Sequence, residues 1–290
     1  MIWPRISIVT PSYNHARFIP WTVRSVLHQR YPDLEYILMD GGSKDATVEV
    51  LAPYRSSFAH FVSERDKGQS DAICRGFLRS SGEIMAYLNS DDLLAPGVLH
   101  TIARYFHDHP EVDVVYGHRV LIDAVNLTTG YWMVPKRHNH YLMMRWDMIP
   151  QETCFWRRRI WERVGNVDSS FRFAMDYDLF SRFMAAGARF AVLPRFLGAF
   201  RKHDEAKTTQ LMDTVGRTES ALIWNKHGLR SRWFHPLISQ RFYNGVHRRG
   251  MQHALSGRSL PGALPGIGYD YDRVWGGLLT SQEPPAPCRA

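Results

Sequence analysis

Ile84-Met85-Ala86-Tyr87-Leu88-Asn89-Ser90-Asp91-Asp92 decides how the rest of the chain is read. Its apolar run, Ile84 to Leu88, reads as a buried strand. Two adjacent carboxylates follow at the strand's carboxyl end. Like charges side by side repel and must be solvated, hydrogen-bonded or neutralised by a metal. A hard divalent cation held by one or two carboxylates, its other positions open to phosphate oxygens, would neutralise such a pair. Crevices outside the carboxyl ends of strands are also where open α/β sheets bind ligands. The competing reading is structural: Asp91 or Asp92 caps the helix that begins near Pro96.

Upstream of this strand, Ile6 to Thr10, Tyr36 to Met39 and His60 to Ser63 read as strands. Phe18 to Leu27, Ala46 to Tyr54 and Gln69 to Ser80 read as the helices between them. Downstream come a helix from Gly97 to His109 and a fifth strand from Val112 to Tyr116. Strands alternating with helices imply a parallel α/β sheet. The first strand ends in Pro11-Ser12-Tyr13-Asn14 and the second in Asp40-Gly41-Gly42-Ser43, where glycines permit a tight turn close to a ligand. Polar residues therefore gather where strands one, two and four end, and converging ends predict a single site. Neither a dinucleotide fingerprint nor a P-loop is present.

After Tyr116 the alternation stops. Val120 to Tyr131 reads as strands around a turn, and Thr153 to Trp156 as a strand leading into a helix from Arg159 to Val164. Phe173 to Asp178 precedes an apolar-rich helix ending near Ala186-Gly187. Arg189 to Leu193 and Leu197 to Arg201 read as two short strands, and Thr208 to Lys226 as a helix.

The 290 residues, 44% hydrophobic and 13% aromatic, suffice for one large core or a domain plus an appendage. No apolar run reaches the length of a membrane-spanning helix. Met1 to Arg5 leads directly into a strand, so no signal peptide is expected. Cys74, Cys154 and Cys288 show neither zinc spacing nor a disulfide framework, which fits a reducing cytoplasm. The net charge of +8 is unevenly spread: Ser220 to Tyr269 holds no Asp or Glu but contains Lys226, Arg230, Arg232, Arg241, Arg248, Arg249 and Arg258. Such a block points to an anionic partner. No recognised nucleic-acid module accompanies it, so nucleic acid is not an expected partner.

Val9 to Asn14, Asp40 to Asp45, Glu64 to Gly68, Asn89 to Asp92, Gln151, Met175 to Leu179, and His203 with Lys207-Thr208 form an ordered set that resembles the family 2 glycosyltransferases. Any one of these motifs is weak; the ordered set, covering residues 5 to about 210, is specific. The resemblance implies a GT-A fold: a mostly parallel nucleotide-binding sheet flanked by helices, with a mixed acceptor-side region. The donor half would be 1–116, the acceptor half 117–210, and 211–290 a helical, basic, aromatic-rich extension. It implies an inverting transferase that moves a sugar from a nucleotide-diphosphate sugar, UDP or dTDP, to a hydroxyl of a glycan or lipid-linked acceptor. Mn²⁺ or Mg²⁺ would be held by Asp92, with Asp91 sharing the metal or the ribose and His203 a further candidate ligand. Thr10, Pro11 and Tyr13 would wall the base pocket, with Asn14 beside them. Asp40 would accept from a base N–H, and Asp66 and Lys67 would shape the donor site. Asp176 would be the catalytic base, with Asp178 capping the helix. Arg201 and Lys207 could neutralise phosphate. Two positions depart from the pattern: Asn89 replaces an often acidic residue, and Met175 stands where many relatives have Glu.

A sugar-nucleotide nucleotidyltransferase would share the sheet and metal but would carry a Gly-rich basic loop after the first strand, which Pro11 to Asn14 is not. A catalytically degenerate, membrane-associated scaffold is the non-enzymatic alternative, and the retained Asp40, Asp91, Asp92 and Asp176 argue against it. In the extension, arginines alternate with Trp224, Trp233, Phe234, Leu237, Ile238, Phe242 and Tyr243. That mixture suits docking to the inner membrane face, rings buried at the headgroup boundary and charges on anionic lipid. Packing of those aromatics on the catalytic domain is the alternative.

Overall fold

The computed structural model describes residues 3–144, 147, 149–228 and 245. The chain opens with β1 (Ile6–Ser12), α1 (Ile19–Leu27), β2 (Leu34–Asp40), α2 (Thr47–Leu51), β3 (His60–Ser63), α3 (Gln69–Phe77) and β4 (Ile84–Tyr87). A two-residue β5 (Leu93–Leu94), α4 (Val98–Asp108), β6 (Val114–Ile122), β7 (Thr128–Trp132) and the short α5 (His140–Met143) follow. The remaining elements are β8 (Phe155–Arg157), α6 (Arg158–Val164), α7 (Met175–Ala185), β9 (Phe190–Arg201), α8 (Lys207–Leu211) and α9 (Arg217–Lys226).

One sheet runs β3-β2-β1-β4-β8-β6-β9-β5, with β7 paired to β6. β3, β2, β1 and β4 are parallel. β8 runs antiparallel to both β4 and β6, and β6 and β9 are again parallel. The alternation of side chains places this sheet between two apolar layers. Ile6, Ile8, Tyr36, Leu38, Ile84 and Ala86 face a layer formed with Val23 of α1, Leu51 of α2 and Leu99 and Ile102 of α4. Val9, Ile37, Met39, Met85 and Tyr87 face the opposite layer, formed with Ile73 and Phe77 of α3, Ile160 of α6, Phe180 and Phe183 of α7 and Ile223 of α9. A strand buried on both faces reads as a continuous apolar run, which is why β4 was legible.

α3 can lie this close to β1 because position 76 is glycine: a Cβ there would stand 2.4 Å from Val9 Cγ1. Neither Asp91 nor Asp92 caps a helix; α4 starts after Gly97 in the left-handed region (φ +71°), without a side-chain cap.

Several elements differ from expectation, among them β6, which joins the expected fifth strand and the strand expected from Val120 into one. Residues 190–201 form one strand rather than two, because the pairing with β6 shifts register around His118 and absorbs Pro194 in the irregularity. β5, too short for a periodic signal, exists by pairing with Gly198 and Ala199 of β9. The helix expected from Thr208 to Lys226 is broken into α8 and α9 by a π-helical turn, Met212–Gly216. Position 210 lies inside α8.

Candidate active site

β1 and β2 end in register, Ser12 opposite Asp40, so their loops meet. Asp40 is 2% exposed. Its Oδ2 accepts from the backbone N–H groups of Gly42 (3.2 Å) and Ser43 (3.0 Å) and from Ser63 Oγ (2.7 Å), and its Oδ1 accepts from the Ser43 hydroxyl. Asp40 therefore builds its turn, and Oδ1, with one bond, keeps acceptor capacity. Asn14, in the left-handed region at φ 53°, stitches the two loops together. Its side chain accepts from Lys44 N–H, and its own N–H donates to Ser43 Oγ, both at 2.8 Å. Thr10 and Pro11 are buried, and Thr10 Oγ1 lies 3.1 Å from the Tyr36 hydroxyl. Tyr13 is exposed. Asp66 packs against Gly41, where a Cβ would meet Asp66 Oδ2 at 2.7 Å. Burial, with Asp71 and Asp40 as like charges, pushes the Asp66 carboxyl up. Lys67 is exposed, and its backbone N–H donates to Asp71.

The acidic motif sits on the loop after β4. Asp92 is buried, its Oδ1 accepting from Arg201 N–H (3.0 Å) and its Oδ2 from Asn89 Nδ2 (3.3 Å). Burial, then the like charges of Asp91 and Glu152, push the Asp92 carboxyl well above the usual range. Burial also works against Asp91, but the His203 hydrogen bond and the nearby imidazoles of His15 and His203 hold its carboxyl below the usual range. His203 Nε2 lies 3.1 Å from Asp91 Oδ2, and His15 Nδ1 lies 2.6 Å from Ser90 Oγ. Arg201 is fully buried; its Nε donates to Asp91 O and its Nη1 to Asp123 O and Asn126 Oδ1.

Among the described residues, no group of three or more His, Cys, Asp or Glu side chains forms a centre that could hold a metal ion. The chemistry of the donor set nevertheless fits an open one. Asp91 and Asp92 are adjacent after β4, Asp91 bonded to the His203 imidazole, and Asp92 is disfavoured as an anion by burial and by its neighbours. Mg²⁺-like ions need only one or two protein carboxylates when phosphate oxygens complete the shell.

Asp176 lies in the first turn of α7, half-buried, with its Oδ1 accepting from Tyr177 N–H at 2.9 Å. Burial pushes its carboxyl up, and the Tyr177 bond opposes this. Asp178 does not cap the helix, contrary to expectation. It is fully buried and turned toward two cations, accepting from Arg182 Nε and Lys226 Nζ at 2.8 Å each. The N-cap position is Ala174, which makes no side-chain cap bond.

Sequence reasoning missed a largely buried ion pair whose charges act on both Asp92 and Asp176. Arg119 grips Glu152 through Nε (2.8 Å) and Nη2 (2.6 Å). The Glu152 charge pushes up both Asp92 and Asp176, while Arg119 draws both down. The metal-motif carboxylate and the candidate base therefore feel the same two charges. A polar relay was missed as well: Lys207 Nζ donates to Gln69 Oε1 (2.7 Å), Gln69 Nε2 to Asn89 Oδ1 (2.6 Å), and Asn89 Nδ2 to Gln151 Oε1 (3.3 Å). Gln151 and Lys207 stood in the recognised motifs. Arg119 carried no local signal, because its role exists only across β6.

A cavity of about 320 Å³ opens beside His203, lined also by Arg17, Asp123, Lys202 and Glu205. A larger one, about 450 Å³, lies by Arg137, His138 and Phe190 at the start of β9, away from the carboxylates. Charge placement, rather than cavity size, selects the site.

The family model described as glycosyl transferase family 2 matches residues 7–165. An uncharacterized glycosyltransferase of Nostoc sp. is 27% identical over 175 residues, 57% of this chain and 54% of that protein, so the match spans about half the relative's length. A PGL/p-HBAD biosynthesis glycosyltransferase of Mycobacterium bovis is 28% identical over 183 residues, 61% of this chain and 69% of that one. Among solved structures, S. aureus TarS 1-349 in complex with UDP-GlcNAc superposes with a TM-score of 0.61 at 17% identity, covering 94% of this chain and 80% of that one. The mannosyltransferase PcManGT from Pyrobaculum calidifontis, in complex with GDP-Man and Mn²⁺, gives 0.60 at 18% identity, covering 97% and 85%. At these identities the structures share the fold, which is GT-A.

Proposed function

The chain belongs to glycosyl transferase family 2, and from that premise we propose a metal-assisted, inverting transferase with Asp176 as its base. The observation that supports this reading is the carboxylate pair on the loop after β4, where Asp91 bonds His203 and Asp92 accepts from Arg201 N–H. The donor is a nucleotide-diphosphate sugar, UDP- or dTDP-linked, lying across the ends of β1, β2 and β4. The UDP-GlcNAc and GDP-Man complexes of the structural neighbours support that class of donor. Asp40 Oδ1 accepts from the base, Thr10, Pro11 and Tyr13 form its wall, and Asp66 and Lys67 border the donor.

Asp92 and Asp91, with His203, would hold the divalent ion, which when bound supplies Lewis-acid stabilisation of the departing diphosphate. Asp176 removes the proton of the acceptor hydroxyl on the face opposite the leaving group, the requirement for inversion. Burial raises its affinity for protons above that of an ordinary aspartate, the direction a general base needs. The acceptor is a hydroxyl of a glycan or of a lipid-linked sugar, reached from an inner membrane face on which the basic C-terminal third docks. The deciding experiment assays a panel of nucleotide sugars with and without Mn²⁺, and reads the product's anomeric configuration by NMR. A retained configuration, or no turnover of any donor, would reject the reading.

A further inference from the structure

We propose that Glu219 of α9 is a positioning residue for Asp176, so that the C-terminal helices complete the active site rather than merely trail it. The inference rests on Asp176 being the base. Glu219 is 7% exposed, and its carboxylate accepts three backbone N–H bonds: from Arg172 (2.8 Å), Phe173 (2.9 Å) and Ala174 (2.8 Å). These are the residues that lead into α7, whose own N-cap, Ala174, offers no side-chain acceptor. A carboxylate from more than forty residues away thus does what a local cap would do, at the end of the helix where its dipole favours negative charge.

The same helix reaches α7 again. Lys226, seven positions on and so on the same face of α9, donates to Asp178 Oδ1 at 2.8 Å. Between them Trp224 Nε1 donates to the Tyr177 hydroxyl at 2.8 Å. From α8, Lys207 Nζ donates to Arg172 O at 3.2 Å, holding the carbonyl side of the segment that Glu219 holds by its N–H side. Ile223 is buried in the shared core. Asp176 accepts from the N–H of its own neighbour, Tyr177, so its carboxylate goes where the first turn of α7 goes. Proton transfer tolerates little displacement; about 1 Å can cost about 100-fold in rate.

The test uses the full chain, with steady-state transfer normalised to folded protein by circular dichroism. E219Q preserves shape but offers a single neutral acceptor where three N–H groups converge. We expect kcat to fall by about 10-fold or more with donor KM within about twofold, and E219D, which keeps the charge, to recover part of the loss. Wild-type kcat in folded E219Q, even with a lowered melting temperature, would overturn the proposal, because Glu219 would then serve stability alone. If E219Q does not fold, E219D decides: a lowered kcat at unchanged donor KM supports the role, and wild-type kcat overturns it. D176N, run alongside, separates the two layers. Normal turnover in D176N defeats the base assignment itself, whereas an impaired D176N beside a fully active E219Q defeats only the role of Glu219.

Discussion

Asp92 and Asp176 are both held above the ordinary carboxylate range by burial, yet they are assigned different work. Asp92→Ala should abolish the part of donor affinity that depends on metal. Titrating a UDP-sugar with and without Mn²⁺ checks this, and an equal Mn²⁺ effect in variant and wild type would sink the metal assignment. Asp176→Asn keeps shape but cannot take a proton, so kcat should drop by about 100-fold or more with donor affinity retained. The sign of the pH effect follows from the same residue. Transfer needs the ionised carboxylate, so kcat/KM should fall as pH drops through the Asp176 pKa. Because that pKa is raised, the acidic limb should lie above the ordinary aspartate value of about 4. A limb at or below that value, with chemistry limiting the rate, would be inconsistent with Asp176 as the group observed.

Helix α3 carries the Gln69 end of the polar relay and lies against β1 and β2 through Gly76. Gly76→Ala would drive a methyl into Val9 and crowd Met39, 3.2 Å from the added atom. Such overpacking typically costs about 1–3 kcal/mol. Alanine's better helix propensity returns at most about 1 kcal/mol of it. A lowered melting temperature by calorimetry is expected, and an unchanged or raised one would show that β1 yields to the methyl. At this scale β1, β2 and β4 were legible because their apolar runs are buried and bounded by turn residues, and the more exposed β3 by its position between two helical patterns. β5 and the continuity of β9 were not legible, because both depend on pairing with a partner far along the chain.

For the molecule as a whole, charge is the property that reaches beyond the site. The arginines from 230 to 258 lie outside the described residues, as do all the aromatics of the expected membrane face except Trp224. Trp224 is 39% exposed, and its indole N–H is bonded to Tyr177, which ties it to α7. Among the described residues no helix is long and apolar enough to cross a membrane. Each basic residue beside an anionic leaflet contributes about 1 kcal/mol, so three or four suffice for reversible docking. Co-sedimentation with anionic liposomes should show binding that weakens with salt and is lost when Arg241, Arg248 and Arg249 are replaced together. Folded protein that ignores anionic vesicles at low salt would reject docking.

The order of strands one to four, the carboxylates at their ends and the family itself were written in the sequence, because buried strands, Gly-Gly turns and the Asn-Ser-Asp-Asp motif are local patterns. The tertiary structure alone decided which charges share a site. Arg119 meets Glu152 across 33 positions, Asp91 meets His203 across 112, and Glu219 meets the start of α7 across 45 or more. It also decided that Asp178 is a buried ion-pair partner rather than a cap, a role set by Lys226 arriving from another helix. Periodicity records which face of an element is buried. The partner that an ionised group finds there depends on how distant segments converge, and no local pattern carries that information.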